Sequence, residues 1–207
     1  MKVYFFLILF FASKILFAQI NLPLDSASLS NLLVYCNPDT YDSFPNGKFR
    51  QCRFDKSVVI NGILCKDWLK LYENSRIRQF QPVTNIVIGE VKIPGGSTVF
   101  LDTAGVLKEC WFSEDVKING IKVKGGLVKI PTQFYPNGQI SCCILAENDI
   151  ISNVPCEAGM LSPVCFYPNG KLKSCTLSEN TTFGKEKYVK GTKIQFGLDG
   201  KISVIKD

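Results

Sequence analysis

A short turn string recurs along this chain and constrains the fold more than any other feature of the sequence. It reads FPNGK from Phe44, YPNGQ from Tyr135 and YPNGK from Tyr167, with weaker copies at residues 72–75, 102–105 and 198–200. The last turn residue of each copy is taken as position zero, and the spacings between these positions are 28, 30, 33, 32 and 30 residues. The six positions are Gly47, Ser75, Gly105, Gly138, Gly170 and Gly200. A period near thirty residues indicates a repeat protein.

Apolar side chains keep register with position zero, at offsets of two, five, thirteen and eighteen residues. The column at offset five, for example, contains Cys52, Phe80, Cys110, Cys143, Cys175 and Ile205. Offsets two and five have opposite parity, which would place them on opposite faces of an ideal strand. The pattern therefore predicts a β-bulge or a strong twist between the two columns.

The turn residues predict that each repeat is built from β-hairpins. Asn-Gly between apolar runs is typical of a type I′ hairpin turn, in which both central residues have positive φ. A second turn in the repeat is clearest at Asn61-Gly62 and Asn119-Gly120. The best helical candidate, Ser26 to Leu33, is interpreted as a capping turn.

The predicted fold class is all-β. We expect an array of stacked β-hairpin repeats that forms a curved sheet or a solenoid-like roll, with a closed β-barrel as the alternative. The expected organisation is a signal peptide at residues 1–18, an N-terminal cap or linker at 19–43, and a six-unit repeat domain at 44–207.

The three turn strings beginning at Phe44, Tyr135 and Tyr167 resemble the bacterial variant of MORN repeats. The resemblance covers the chain from Phe44 onward and is closest in the turn itself. It implies a β-hairpin array used for contacts with proteins or lipids, or as a structural spacer, without catalytic residues.

The N-terminus has the order of a secretory signal peptide. Lys2 precedes an apolar stretch from Val3 to Ala12, which Ser13 and Lys14 end well short of the roughly 20 residues of a membrane span. Cleavage is expected after Ala18. We therefore expect a secreted, periplasmic or cell-envelope protein, with no integral membrane span after cleavage.

Nine cysteines suggest disulfides in an exported chain. Cys52 and Cys65 occupy the same two columns as Cys143 and Cys156, and both pairs are thirteen residues apart. They are candidate disulfides, although the other repeats carry plain apolar residues in these columns and the cysteines could equally be small buried hydrophobes. Because nine is odd, at least one thiol remains free or pairs between molecules.

The absence of histidine excludes Ser-His-Asp and Cys-His nucleophile activation. The sequence also has no Cys-x2-Cys pair of the kind that zinc sites use, so no metal or other cofactor is expected. A carboxylate-dependent hydrolase that uses Glu109, Glu114, Asp115 or Glu157 is a remote alternative, because nothing in their spacing singles them out.

The favoured hypothesis is a non-enzymatic scaffold that contacts another macromolecule, with a protein as the favoured partner and nucleic acid not expected. A second hypothesis is a binder of anionic lipid or polysaccharide, because residues 171–207 carry eight lysines and four acidic residues.

Overall fold

The computed structural model describes residues 23–126 and 130–205. The predicted signal peptide, residues 1–18, lies outside the described residues. The chain divides into two compact units, one ending at Cys110 and the other beginning at Trp111. They are called the N-terminal half and the C-terminal half below, and each is described by itself.

The N-terminal half begins with helix α1 (Ser26–Leu33) and a short 3-10 helix (Pro38–Thr40). Asp25 caps α1, because its Oδ1 accepts the Ser28 N–H at 2.7 Å. The segment interpreted as a capping turn is thus a helix of eight residues. The strands that follow are β1 (Asp42–Ser43), β2 (Phe49–Ile60), β3 (Ile63–Leu71), β4 (Ile77–Pro82), β5 (Ile86–Ile88), β6 (Val91–Ile93), β7 (Thr98–Leu101) and β8 (Leu107–Trp111), the last of which crosses the boundary by one residue.

The C-terminal half contains only strands among its described elements. They are β9 (Val116–Ile118), β10 (Ile121–Val123), β11 (Pro131–Phe134), β12 (Ile140–Cys143), β13 (Asp149–Ile151), β14 (Val154–Cys156), β15 (Val164–Phe166), β16 (Leu172–Thr176), β17 (Thr181–Phe183), β18 (Glu186–Tyr188), β19 (Lys193–Phe196) and β20 (Ile202–Val204).

Each half carries antiparallel main-sheet strands and separate two-stranded hairpins. The main-sheet order is β1-β2-β3-β4-β7-β8 in the N-terminal half and β11-β12-β15-β16-β19-β20 in the C-terminal half. The short hairpins are β5-β6 in the first half and β9-β10, β13-β14 and β17-β18 in the second. The predicted all-β array of hairpin repeats is confirmed. Among the described residues β1 pairs only with β2 and β20 only with β19, so the strand order does not close and the barrel alternative is wrong.

The turn at position zero has the same hydrogen bonds in all six repeats, but it is not the predicted type I′ turn. In the first repeat the Gly47 N–H donates to the Phe44 carbonyl at 2.9 Å, and the Phe44 N–H donates to the Lys48 carbonyl at 2.8 Å. Of the three residues between them, only Gly47 has positive φ, at 78°. This is a type I turn followed by a left-handed residue, because Pro45 fixes φ near −65° where a type I′ turn needs a positive value.

The second turn of the repeat does include type I′ geometry. Asn61 and Gly62 have φ of 47° and 81°, and Asn119 and Gly120 have 50° and 88°. The sequence prediction was thus right for the turn without proline, where both residues are free to adopt left-handed backbone.

The predicted bulge is present between offsets two and five. In the fourth repeat Gln133 pairs with Cys142 while Phe134 pairs with Ile140, so Ser141 is the extra residue on β12. The same register shift places an extra residue at Arg50, Arg78 and Lys173. Offsets two and five are three residues apart, and the bulge between them turns both columns toward the core. Phe49 and Cys52, for example, are 8% and 0% exposed.

Neighbouring repeats are locked together by backbone-directed side chains. The hydroxyl of Tyr72 donates to the Leu101 carbonyl at 2.9 Å, one repeat along the chain. The hydroxyls of Tyr135 and Tyr167 make the equivalent bonds to the Phe166 and Phe196 carbonyls, at 2.9 and 2.6 Å. Each bond satisfies a carbonyl next to the following turn, so the turns form a regular stack within each half.

A side chain at offset ten closes the base of each short hairpin. Asn85 Oδ1 accepts the Gly95 N–H at 2.9 Å, and Asp115 Oδ1 accepts the Gly125 N–H at 3.0 Å. A Cβ atom at Gly95 would lie 2.2 Å from the Val83 carbonyl oxygen, so this corner requires glycine. Asn148 and Asn180 make the equivalent bonds in the next two repeats.

Candidate functional site

The bulge gives the two faces of the main-sheet strands different roles. Offsets two and five carry the buried apolar columns, whereas offsets three and four point away from the core. Arg50, Arg78 and Lys108 occupy offset three in the N-terminal half, and all are exposed. The face that carries offsets three and four is called the outer face below, and it is the candidate site.

Aromatic rings hold the cations at offset three in three of the repeats. The Arg50 guanidinium lies 5.9 Å from the centre of the Phe44 ring, and that of Arg78 lies 6.0 Å from the centre of the Tyr72 ring. In the C-terminal half, Lys173 lies 5.9 Å from the centre of the Tyr167 ring. These cation–π contacts restrict long side chains that would otherwise be mobile in water, and so they keep positive charge at a fixed place in the repeat.

A row of half-buried side chains crosses the outer face of the N-terminal half. Strand pairing places Gln51 of β2 opposite Lys70 of β3, Lys70 opposite Gln79 of β4, and Gln79 opposite Phe100 of β7. Trp68 lies two residues before Lys70 on the same face, and the Lys70 ammonium lies 5.2 Å from the centre of its ring. The row thus combines amide groups, a cation and aromatic surface on rigid strands.

The outer face is irregular at Asp67, a residue that sequence reasoning missed. Its φ is 61°, and the strand register shifts on both sides of β3 nearby. Arg53 Nε donates to Asp67 Oδ1 at 2.6 Å. A shallow cavity of about 380 Å³ opens here, and its charged lining consists of Arg53, Asp55, Lys56, Lys66 and Asp67. The sequence signal for this departure is Ser57, which stands at offset ten where the next four repeats carry Asn or Asp.

The candidate disulfides Cys52–Cys65 and Cys143–Cys156 are wrong. Cys52 bonds to Cys36, and Cys65 is a buried free thiol. Cys52 pairs with Leu69 across β2 and β3, four residues from Cys65, or roughly 13 Å along the strand. A disulfide cannot join Cα atoms more than about 7 Å apart without moving the backbone.

The second predicted pair fails because offset eighteen faces the next repeat. Cys156 pairs with Leu177, and its thiol forms a hydrogen bond with that of Cys175, while Cys143 lies opposite Val164. Both Cys143 and Cys156 are buried free thiols. The second disulfide instead joins Cys142 to Cys165, which lie directly opposite each other on the outer face of the C-terminal half.

Four of the five free thiols have raised pKa values and are protonated at neutral pH, whereas the hydrogen bond with Cys156 lowers the pKa of Cys175. Burial raises the pKa of Cys65 and of Cys143 to about 12, and it also raises the pKa of Cys110. The pKa of Cys156 is raised by its hydrogen bond to Cys175 and by burial. Nucleophilic cysteines are thiolates near neutral pH, so these side chains have the character of small hydrophobes.

Of the four carboxylates considered in the sequence, Asp115 has a defined structural role. Its Oδ1 accepts the Gly125 N–H at 3.0 Å and lies 3.4 Å from Lys124 Nζ. The backbone hydrogen bond from Gly125 lowers the pKa of Asp115, with a smaller contribution from Lys124. A general acid near neutral pH needs the opposite shift. Glu114 is exposed, and Glu109 and Glu157 are half-buried.

Within residues 23–126 and 130–205, no group of three or more His, Cys, Asp or Glu side chains is arranged to hold a metal ion. In the same part of the chain, no helix has the length and apolar character needed to cross a membrane. The sequence matches no protein-family model and no curated protein.

Proposed function

We propose that this chain is an exported, non-enzymatic repeat scaffold that contacts another macromolecule through its outer face. The observation that carries the proposal is the bulge at offset three. It assigns the apolar columns to the core and leaves cations, amides and aromatic rings at fixed positions on the outside. Side chains such as Arg78 and Lys108 are exposed, so they are available for contact.

Export is supported by two independent features. The first eighteen residues have the pattern of a signal peptide that ends at Ala18. Two disulfides, Cys36–Cys52 and Cys142–Cys165, fit an oxidising compartment outside the cytosol. We therefore assign the protein to the cell envelope or the extracellular space, in keeping with the resemblance of its turns to bacterial MORN repeats.

A non-enzymatic role is supported by the chemistry of the side chains. The chain has no histidine, and the buried thiols of Cys65, Cys110 and Cys143 are protonated at neutral pH. Asp115 is held ionised by the backbone of its own hairpin. The cavity beside Asp67 is shallow and polar, unlike the enclosed apolar pocket that is typical of a small-molecule site.

A second candidate function is the binding of anionic lipid or polysaccharide through the basic C-terminal repeats. It is favoured by the four excess positive charges of residues 171–207 and by the contact of Lys173 with the Tyr167 ring. Binding by these lysines would weaken steeply as ionic strength rises, because exposed charges are screened by salt.

The test compares two charge-matched double variants of the exported protein. Arg78→Glu with Lys108→Glu alters the outer face, whereas Lys92→Glu with Lys117→Glu alters exposed positions of the short hairpins. Each protein is immobilised and exposed to native envelope material. We expect the wild type and the hairpin variant to retain the same partner and the outer-face variant to lose it. Equal retention by both variants would exclude the outer face as the contact surface.

Cleavage of the signal peptide is tested separately by N-terminal sequencing. Met1 on the exported protein would contradict cleavage.

A further inference from the structure

Resting on the function proposed above, we infer that the outer face of β2, β3, β4 and β7 binds an acidic polysaccharide. The surface consists of Gln51, Trp68, Lys70, Gln79 and Phe100, together with the cations at offset three. Its chemistry and its spacing both point to a linear, hydroxyl-rich polymer that carries carboxylates at intervals.

The row of side chains matches the three kinds of group in such a polymer. The half-exposed faces of Trp68 and Phe100 suit the apolar C–H face of a sugar ring. The amides of Gln51 and Gln79 can donate to and accept from sugar hydroxyls. The Lys70 ammonium lies between the two amides in the strand register and can pair with a carboxylate.

The spacing of the row favours an extended ligand. Neighbouring strands are about 4.8 Å apart, so the row from Gln51 to Phe100 crosses three gaps and spans roughly 14 Å. The cations at offset three recur on every second strand, about 10 Å apart, at Arg50 on β2 and Arg78 on β4. A polymer that lies across the strands therefore meets an amide or aromatic side chain on β2, β3, β4 and β7, and a cation on β2, β3 and β4.

The fold disfavours other acidic ligands at this surface. An extended peptide gains affinity from main-chain hydrogen bonds at the edge of a sheet, whereas β2, β3 and β4 each have a partner on both sides. A lipid surface takes up apolar side chains that project from a protein, whereas Trp68 and Phe100 are half-buried beside their neighbours. The charged cavity beside Asp67 is shallow, so it does not enclose a small anion.

The experiment measures binding of the exported full chain to alginate oligosaccharides, which carry carboxylates on a sugar backbone. Dextran serves as a neutral sugar, poly-glutamate as an acidic peptide and phosphatidylglycerol vesicles as an acidic lipid surface. Calorimetry gives the affinity, and tryptophan fluorescence in a Trp111→Phe background, where Trp68 is the sole tryptophan, reports contact at Trp68. We expect alginate to bind, to perturb the fluorescence and to be released by salt. Dextran, poly-glutamate and the vesicles should bind at least tenfold more weakly.

Lys70→Gln and Arg78→Gln should each weaken alginate binding by about tenfold, because each removes a charge-assisted hydrogen bond. Lys92→Gln, an equal change of charge at an exposed site in β6, should leave the affinity unchanged. Circular dichroism verifies that each variant keeps its strand content.

Equal alginate affinity in the three variants would overturn the assigned site, and poly-glutamate or vesicles binding as tightly as alginate would overturn the sugar assignment. No alginate binding, with envelope retention still lost in Arg78→Glu with Lys108→Glu, would overturn this inference alone. Loss of neither property in the outer-face variants would overturn the proposed function as well.

Discussion

Position zero shows how one residue type can be required by the backbone alone. Five repeats have glycine there, and the second has Ser75, whose φ of 61° lies in the left-handed region. A side chain in this conformation costs roughly 1–2 kcal/mol, so the second repeat contains a strained turn. The hydrogen bonds of the turn nevertheless form, with Ser75 N–H donating to the Tyr72 carbonyl at 2.9 Å.

Ser75→Gly should therefore stabilise the protein by about 1 kcal/mol, because it removes this strain and keeps the turn. The matched control is Gly47→Ala, which should destabilise by a similar amount. A Cβ at Gly47 has no atom within 4 Å, so the control measures the effect of φ without a steric clash. Urea unfolding gives both values. A destabilising Ser75→Gly would contradict the strain argument.

The bulge is the element that makes the hairpin amphipathic. In a regular strand, offsets two and five, which are three residues apart, would project to opposite faces, and one apolar column would be exposed. In β12 the extra residue is Ser141, between Ile140 and Cys143, which are 4% and 1% exposed. At this three-residue spacing, the bulge is therefore required to turn both residues toward the core.

Deletion of Ser141 should change the free energy of unfolding by less than about 1 kcal/mol, because Ile140 and Cys143 are then two residues apart and a regular strand turns both toward the core. Ser141→Ala, which keeps the bulge and changes only an outward side chain, should change the free energy of unfolding by less than about 0.5 kcal/mol. Thermal unfolding followed by circular dichroism measures both. A deletion variant that loses more than about 3 kcal/mol would show that the bulge stabilises this repeat by more than the orientation of its two buried columns.

The sequence predicted the features that residues within one repeat determine. It did not predict the features that depend on how neighbouring repeats pair. The thirty-residue period and the apolar columns predicted the hairpin array, and the opposite parity of offsets two and five predicted its bulge. The predicted type of the first turn was wrong, because the Asn-Gly pair favours a type I′ turn whereas Pro45 cannot adopt the positive φ that this turn needs. Disulfide pairing depends on which repeat faces which, and this is set by strand register: offset eighteen of one repeat lies opposite offset seven of the next, as Cys156 does with Leu177. Cys36 lies before the first repeat, so no column indicated it as the partner of Cys52.

At the scale of the whole molecule, five thiols are part of the buried core and two disulfides tie strands or caps in place. The outer face could not be located from sequence, since offsets three and four acquire their common orientation only through the bulge. The row from Gln51 to Phe100 also depends on the register of four strands. The cations at offset three can be read from the sequence, but their contacts with the Phe44, Tyr72 and Tyr167 rings depend on the folded turns.

The buried thiols predict a loss of stability in alkali. The folded pKa of Cys65 is about 12 and its ordinary value is 9.0, so the unfolded chain releases this proton first. The stability that the protonated Cys65 thiol contributes is fully present below pH 9 and is lost as pH rises toward 12. The free energy of unfolding falls by about 1.4 kcal/mol per pH unit for each such thiol.

Cys65→Val should lower the pH dependence of the free energy of unfolding by the contribution of one thiol. The variant should still fold, because the third repeat already accepts Val123 in the same column. Urea unfolding between pH 8 and pH 10.5 gives the slopes of the two proteins. Parallel slopes would mean that Cys65 does not titrate on unfolding.

Because the bulge relieves offset three of any role in packing, natural variation or a randomised library can change Arg50, Arg78, Ser141 and Lys173 together without disturbing the folded core. The same fold can thus evolve new binding specificities through substitution of a few outward-facing residues per repeat, in the manner of an engineered binding scaffold.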